Sequence, residues 1–523
     1  MKDAPAAYLL ADIERFSRIV IGVPLYPYQV EPLRAILDSV IHRRGREFLL
    51  VFPRQSGKNE AVAQLLVYLL TLLQRHGGQM VYGAVGDGLG RGARRLEERL
   101  ATPWTRGRWR RAGRPLRYTL GRSSVVFLSS HPGAAARGET ADHLLVIDEA
   151  QDQDAAHVEA VFTPMRAAHN ATAVYLGTVR TTSDFLWVKK GELEAAEAAD
   201  GARRVFLVGP EQVTAVNPAY AAFLADQVRR YGRRHPIVAA EYFLEPIDGA
   251  GGLFPAWRLA LMAGRHPRLS APIPGELYVA TIDPAGGDPA PAGAPPLHPG
   301  RDFTAATVFR VVPPDPDDPM AGPTYEAVDV LTDHGTPHFR DEPGRAALSG
   351  RLLAWLRHWD PAHTLIDAAG VGQGLAGWLA ERLGRGRVTA WPLGSAVAKA
   401  RLGSDFLALV DTGRFRYWSD EAGSPDDLRP LSDGWWFRQQ AAACAYSLAG
   451  GGAFDRDLRW GVPESARVET PLGPQLIHDD RLLSAALVAE LERRRATGQL
   501  HFGASASRII AGTDPLAPAS GQP

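Results

Sequence analysis

The sequence predicts an α/β protein in two parts, a parallel sheet built around a phosphate-binding loop and a second α/β series behind it. Three observations carry the prediction. The apolar run "EFLLVF" at 47–52 leads into the polar loop "PRQSGK" and then a helical pattern from Asn59 to Arg75, the strand, loop, helix order that a phosphate loop needs. Two more strand-like runs, "HLLVI" at 143–147 and "ATAVYLGT" at 171–178, alternate with helical segments, as in a parallel sheet with its ligand at the carboxyl ends of the strands. A separate series opens with "ELYVATIDPAGG" and continues through "TAATVFRVV", "TYEAVDVLTD", a helix at about 344–358 and "HTLIDAAG".

Length and composition set the bounds. A chain of 523 residues exceeds one hydrophobic core, so two domains of roughly 200 to 250 residues are expected. Glycine and proline become dense at 245–274, where the boundary is placed. The single cysteine, Cys444, excludes a disulfide framework and a cysteine zinc site, and its apolar neighbours suit a small buried side chain. The longest apolar run, Ala61 to Leu73, is too short to span a bilayer, and the N-terminal residues lack the basic start of a signal peptide. A soluble, cytoplasmic protein is expected. The 58 basic and 58 acidic side chains cancel, but "TRGRWRRAGRPLRY" at 105–118 gathers six arginines and no acid. Arginine interleaved with Trp109 and Tyr118 suits phosphate contact and base stacking as well as a solvated face.

The loop departs from the G-x-x-x-x-G-K-[ST] pattern at two places. Gly57 and Lys58 stand correctly, whereas Phe52 takes the first glycine position and Asn59 the hydroxyl position. Pro53 can set the turn instead, Arg54 adds a second cation, and the Asn59 amide oxygen can still reach a metal or phosphate. A hydrolysing ATPase also needs one acid to hold Mg2+ and another to orient water. "LLVIDEA" supplies Asp148 and Glu149 at the end of a buried strand. Upstream, Gln29 in "LYPYQVEPLRAIL" has the donor and acceptor that an adenine edge requires.

The set "YPYQ", "PRQSGKN", "AARGETADHLLVIDEAQ" and "GTVRT" resembles the ATPase of the large terminase subunit, the DNA-packaging motor of tailed bacteriophages. The resemblance implies a P-loop NTPase of the additional-strand, catalytic-glutamate (ASCE) type. Arg54, Gln55, Ser56, Gly57, Lys58 and Asn59 then form the ATP cradle, with Gln29 at the base, and Asp148 holds Mg2+. Glu149 becomes the catalytic carboxylate, Thr178 in the strand-end "GT" links hydrolysis to movement, and Arg137 acts in trans on a neighbouring subunit, which would make the motor a ring.

In the C-terminal half, acids stand where a two-metal centre would need them. Asp283 closes "YVATID", Asp367 closes "HTLID", and "IHDDRLLSAALVAELE" sets Asp479 and Asp480 at a helix start. Three strands, a helix and another strand resemble the core of the ribonuclease H-like fold, and the acids follow the order of the terminase nuclease. That resemblance covers residues 20–495 and implies two Mg2+ or Mn2+ ions, with only one of Asp479 and Asp480 aimed squarely at them. The roles of His478, Asp302 and the loop 284–301 stay open. The expected plan is an ATPase motor at 1–248, a linker at 249–274, a ribonuclease H-like domain at 275–498 and a disordered tail at 499–523.

The leading expectation is an enzyme of the host cytoplasm that moves double-stranded DNA into a procapsid and cuts it, working with a portal protein and a small terminase subunit. It would form a homo-oligomeric ring on the portal while being monomeric in isolation. Two alternatives are a helicase-nuclease of repair or defence, which usually carries a second motor lobe, and a nucleotide-gated DNA-binding adaptor with silent sites, which would dispense with the acids that are present here.

Overall fold

The computed structural model describes residues 6–134, 138–248, 250–286, 303–317, 322–342, 344–419, 430–448 and 454–502. It divides into two compact units, Met1–Val228 with Pro236–Gly249, and Arg229–His235 with Ala250–Pro523.

The first unit is an eight-stranded sheet: β1 (Glu47–Val51), β2 (Gly78–Ala84), β3 (Trp109–Ala112), β4 (Leu116–Leu120), β5 (Ser123–Ser129), β6 (Leu144–Ile147), β7 (Thr172–Gly177) and β8 (Val205–Leu207), in the order β3-β4-β5-β2-β6-β7-β1-β8. The six strands from β5 to β8 along the sheet run parallel, while β4 pairs antiparallel with both β5 and β3. Strand β7 therefore lies between β1, which feeds the phosphate loop, and β6, which ends at the acids. That inserted strand is the ASCE arrangement. All four residues of β6 and all six of β7 are buried, as central parallel strands covered on both faces require. The helix Lys58–Leu73 buries most of its length, so the long apolar run is a core helix. No helix among the described residues is long and apolar enough to cross a membrane.

The arginine-rich stretch forms the β3–β4 hairpin at the sheet edge, where charge discourages pairing with another chain. Arg106, Arg110 and Arg114 are exposed. Tyr118, one of the two rings that suited base stacking, is a core ring instead: only 1% exposed, it packs against Trp109 and Phe127 at 5.8 and 5.7 Å.

In the second unit the central sheet comprises β10 (Tyr278–Asp283), β11 (Thr304–Val312), β12 (Thr324–Asp333), β13 (His363–Asp367), β14 (Val388–Trp391) and β15 (Phe415–Tyr417), ordered β14-β13-β10-β11-β12-β15. Strand β11 is antiparallel to its neighbours β10 and β12, and β13 and β14 continue parallel on the other side of β10. A three-stranded meander with two parallel strands added beside its first member is the ribonuclease H-like order; β15 extends it beside β12. The helix expected from about 344 begins at Leu348, because Gly344 at φ +78° and reciprocal Glu342–Arg345 backbone bonds form a turn first.

The glycine- and proline-dense stretch placed as a linker carries β9 (Ala250–Gly252) and the helix Ala256–Met262. Strand β9 pairs with β16 (Ala445–Leu448), which also pairs with β17 (Leu458–Gly461). The helix is anchored by buried Arg258, which grips Asp411 through Nε and Nη2 at 2.7 and 2.9 Å. Proline here caps a helix, at Pro255, rather than loosening the chain. A two-stranded hairpin, β18 (Arg467–Thr470) and β19 (Gly473–Leu476), precedes the helix Asp480–Ala486. Most of the expected tail, 503–523, lies outside the described residues.

Candidate active sites

The phosphate loop closes without its first glycine. Phe52 is fully buried and edge-packed on Tyr28 at 5.9 Å, and the turn is made by Ser56, whose N–H and Oγ both donate to the Pro53 carbonyl at 3.2 and 2.6 Å. Gly57 sits at φ +90°, and a Cβ there would stand 2.7 Å from Gln29 Nε2, so this glycine is required twice over. Gln29 is buried and engaged at both ends: Nε2 donates to the Gly57 carbonyl at 3.0 Å, and Oε1 accepts from the Tyr26 N–H at 2.8 Å. In this arrangement it tethers the loop rather than presenting its amide to a base. Gln55 is exposed at φ +63°. Arg54 is also exposed, its Nη1 lying 2.7 Å from both carboxylate oxygens of Glu241.

Lys58, the first residue of the helix, meets both acids. Its Nζ lies 3.2 Å from Glu149 Oε2 and 3.7 Å from Asp148 Oδ1. Asp148 is completely buried; Tyr82 donates to its Oδ2 at 2.6 Å and the Glu149 N–H to its Oδ1 at 2.9 Å. Burial raises the Asp148 carboxyl above its ordinary range, against the pull of Lys58. Glu149 is also pushed up by burial, but Lys58, Gln151 and Arg91 outweigh this and hold it below the ordinary range. The residue adopts φ +48°, a conformation uncommon for glutamate and concentrated at functional sites.

Asn59 bears on whether a metal would fit. Its Oδ1 is buried and has no hydrogen-bond partner among the described residues, which is costly for an amide oxygen unless something else occupies it. A buried acceptor directly after Lys58 fits an Mg2+ shell, with Asp148 across the site.

Sequence reasoning missed Tyr82, Gln151, Arg91 and Glu241. Gln151 donates to Glu149 Oε2 at 2.9 Å and accepts from the Thr178 N–H at 3.2 Å, so one side chain joins the acid to the end of β7. Gly177 allows this approach: a Cβ would stand 2.4 Å from Gln151 Oε1. The only written signal is "DEAQ", in which the second residue after the glutamate can turn back. Arg91, more than half exposed, has Nη2 4.0 Å from Glu149 Oε1. Arg137 lies outside the described residues.

In the second unit Asp283 and Asp367 end neighbouring parallel strands, one step beyond the Ile282↔Ile366 pairing, and so share a sheet face. Asp367 is 8% exposed and its Oδ1 accepts from the Ala369 and Leu393 N–H groups, both at 2.9 Å. Two residues before Asp283 on the same face, Thr281 donates to the Ser484 carbonyl at 2.7 Å, and Ser484 Oγ bonds Thr307 Oγ1 at 2.9 Å. Asp480, one turn before Ser484, faces the same way. Asp479 turns aside, its Oδ2 3.7 Å from Lys399 Nζ. Of the two adjacent acids, Asp480 is therefore the one that shares a side with Asp283 and Asp367. Among the described residues no three His, Cys, Asp or Glu side chains stand close enough to hold a metal as placed. The all-oxygen donor set fits Mg2+ or Mn2+, provided that the side chains close in. His478 borders a cavity beside Asp480; Asp302 and most of the loop 284–301 lie outside the described residues.

No protein-family model and no curated protein matches the chain. Among solved structures it is similar to the large terminase of bacteriophage HK97, at 14% identity over 94% of this chain and 100% of that one, with a TM-score of 0.38. It is similar to the ATPase domain of a Thermus phage large terminase at 18% identity, 43% and 96% coverage and a TM-score of 0.32. A large terminase nuclease from a thermophilic phage, with bound magnesium, shows 16% identity, 46% and 96% coverage and a TM-score of 0.29. The fold assignments themselves rest on the two strand orders.

Proposed function

We propose that the chain is a phage terminase large subunit, which uses ATP to drive double-stranded DNA into a procapsid and cuts concatemeric DNA with a metal-dependent nuclease. The observation that carries the reading is one chain holding both an ASCE-order sheet with Lys58 between Asp148 and Glu149, and a ribonuclease H-order sheet with Asp283 and Asp367 ending adjacent strands.

In the first unit, Lys58 and the loop N–H groups around Gly57 receive the β and γ phosphates. Asn59 Oδ1 and Asp148 would hold Mg2+, which, when bound, neutralises phosphate oxygens. Glu149, kept ionised beside Lys58, accepts a hydrogen bond from the water aligned on the γ phosphorus. In the second unit, Asp283, Asp367 and Asp480 would hold two cations that activate water and stabilise the leaving oxygen of a phosphodiester. Asp367 is oriented by two backbone N–H groups. A portal, a small subunit and a ring of copies belong to the same proposal.

Supercoiled plasmid and Mn2+ test it. The wild-type chain should nick or linearise the plasmid and Asp367→Ala should lower the rate by about a hundredfold or more, since loss of even an outer partner of a metal ligand costs about 10- to 100-fold. Undiminished cutting by Asp367→Ala would exclude this nuclease site.

A further inference from the structure

Beside Asp480 the second unit holds a cavity of about 400 Å3 whose walls include Phe303, Trp436, Gln440, Gln475, His478 and Arg481. Two walls are aromatic. Trp436 is half-buried and edge-packed on Trp435 at 4.9 Å, while Phe303 is backed by His334 at 4.8 Å. The cation in the wall is already neutralised: Arg481 Nε and Nη2 lie 3.0 and 2.7 Å from Asp433 Oδ1. Gln440 is 2% exposed, and its Oε1 accepts from the Leu482 N–H at 3.0 Å. Its amide stands at the cavity wall.

Such a lining suits a base rather than a phosphate. Aromatic faces stack on any base, and a buried amide can bond a base edge, whereas a neutralised arginine beside Asp480 offers little to an anion. A volume of this size matches a single small ligand. The outer wall adds a second observation. Gln475 and Leu476 belong to the β18–β19 hairpin, whose turn carries Leu472, 76% exposed, the most exposed large apolar side chain among the described residues. That turn is tied down by Thr470 Oγ1, which accepts from the Leu472 N–H at 3.1 Å and donates to the Gly473 carbonyl at 2.7 Å. An apolar side chain held outward on a tied turn has the form of a wedge that unstacks a base step.

We propose that this cavity receives one unpaired nucleotide of the DNA strand being cut, with its base on the aromatic walls, and that Leu472 helps to open the duplex beside it. The inference rests on the nuclease reading of Asp283, Asp367 and Asp480 and adds the form of the substrate at the moment of cutting.

The test uses the full chain with Mn2+ and single-turnover cutting of two duplexes, one fully paired and one with a short mismatched bubble. The bubble should be cut about tenfold faster, because opening has already been done. Trp436→Ala should remove about tenfold of bubble cutting, the scale of a single base stack, and Trp436→Phe should restore most of it. Leu472→Ala, at a tip where the side chain is 76% exposed, should slow the paired duplex more than the bubble. Equal wild-type rates on the two duplexes overturn the inference, as does an unaltered bubble rate in soluble Trp436→Ala. Should Trp436→Ala fail to fold, equal effects of Leu472→Ala on both duplexes overturn it. A wild-type chain that cuts neither duplex overturns the nuclease reading beneath it, which is a separate failure.

Discussion

Glu149 combines a carboxylate held ionised, a strained backbone and three polar neighbours, and each follows from the turn that ends β6. Replacing it with alanine leaves Lys58 and the loop to bind phosphate but removes the acceptor for the water. Glu149→Ala should therefore reduce ATP turnover by about 10² to 10⁴ while nucleotide binding, followed by fluorescence of a labelled ATP analogue, persists. Cys444 is the opposite kind of residue. It is fully buried, and burial pushes its thiol up to about 12. In the native protein it should not react with a thiol reagent at neutral pH, and it should react within the dead time once the chain is denatured. Since it is the single cysteine, that signal reports unfolding without background.

The β3–β4 hairpin shows how a charge cluster is used by an element. Arg108, Arg111 and Arg117 are taken up by Gln74, Glu97 and Glu139, whereas Arg106, Arg110 and Arg114 are exposed and have no ion pair among the described residues. If the edge touches DNA phosphates, replacing these three with alanine weakens binding uniformly across sequences and lowers the slope of log affinity against log salt by about 0.9 for each phosphate no longer neutralised. A slope that stays put would leave the hairpin as an edge protected by charge and nothing more. The composition "TRGRWRR" allowed both outcomes; that the arginines divide into paired and free sets depends on partners far along the chain, which no local pattern contains.

For the whole molecule, the second unit carries an acid-sensitive element. His235 is completely buried against the Ser404 carbonyl at 3.0 Å, and burial lowers it to about 4. Between its ordinary value near 6.5 and about 4, the unfolded chain binds the proton and the folded one does not. Stability is thus present above pH 6.5 and lost as the pH falls. Urea unfolding should show the second unit weaker at pH 5 than at pH 7, with about 2 kcal/mol of the difference from His235 and a further share from His363, which burial also lowers to about 4; His235→Asn should remove only the first share. What the sequence revealed at this scale was contiguous. "FPRQSGKNE", "LLVIDEA" and "HTLID" each put strand, turn and acid in one stretch, and the two strand orders agree with them. What it hid was either distant or ambiguous. Tyr82 reaches Asp148 across neighbouring strands, Glu241 reaches Arg54 from a late helix, and glycine with proline reads as linker although β9 and its helix are packed. The side on which Asp480 stands also needed the Thr281–Ser484 bond, which orients the helix.

Gln151 joins Glu149 to the end of a neighbouring strand. Its amide holds the Glu149 carboxylate at one end and the Thr178 N–H at the other, with Gly177 leaving no slack beside it. A rigid planar group gripped at both ends works as a connecting rod. If the first site turns over ATP as proposed, rotation of the carboxylate would reach the end of β7 directly, without passing through the loop proposed to hold the phosphates.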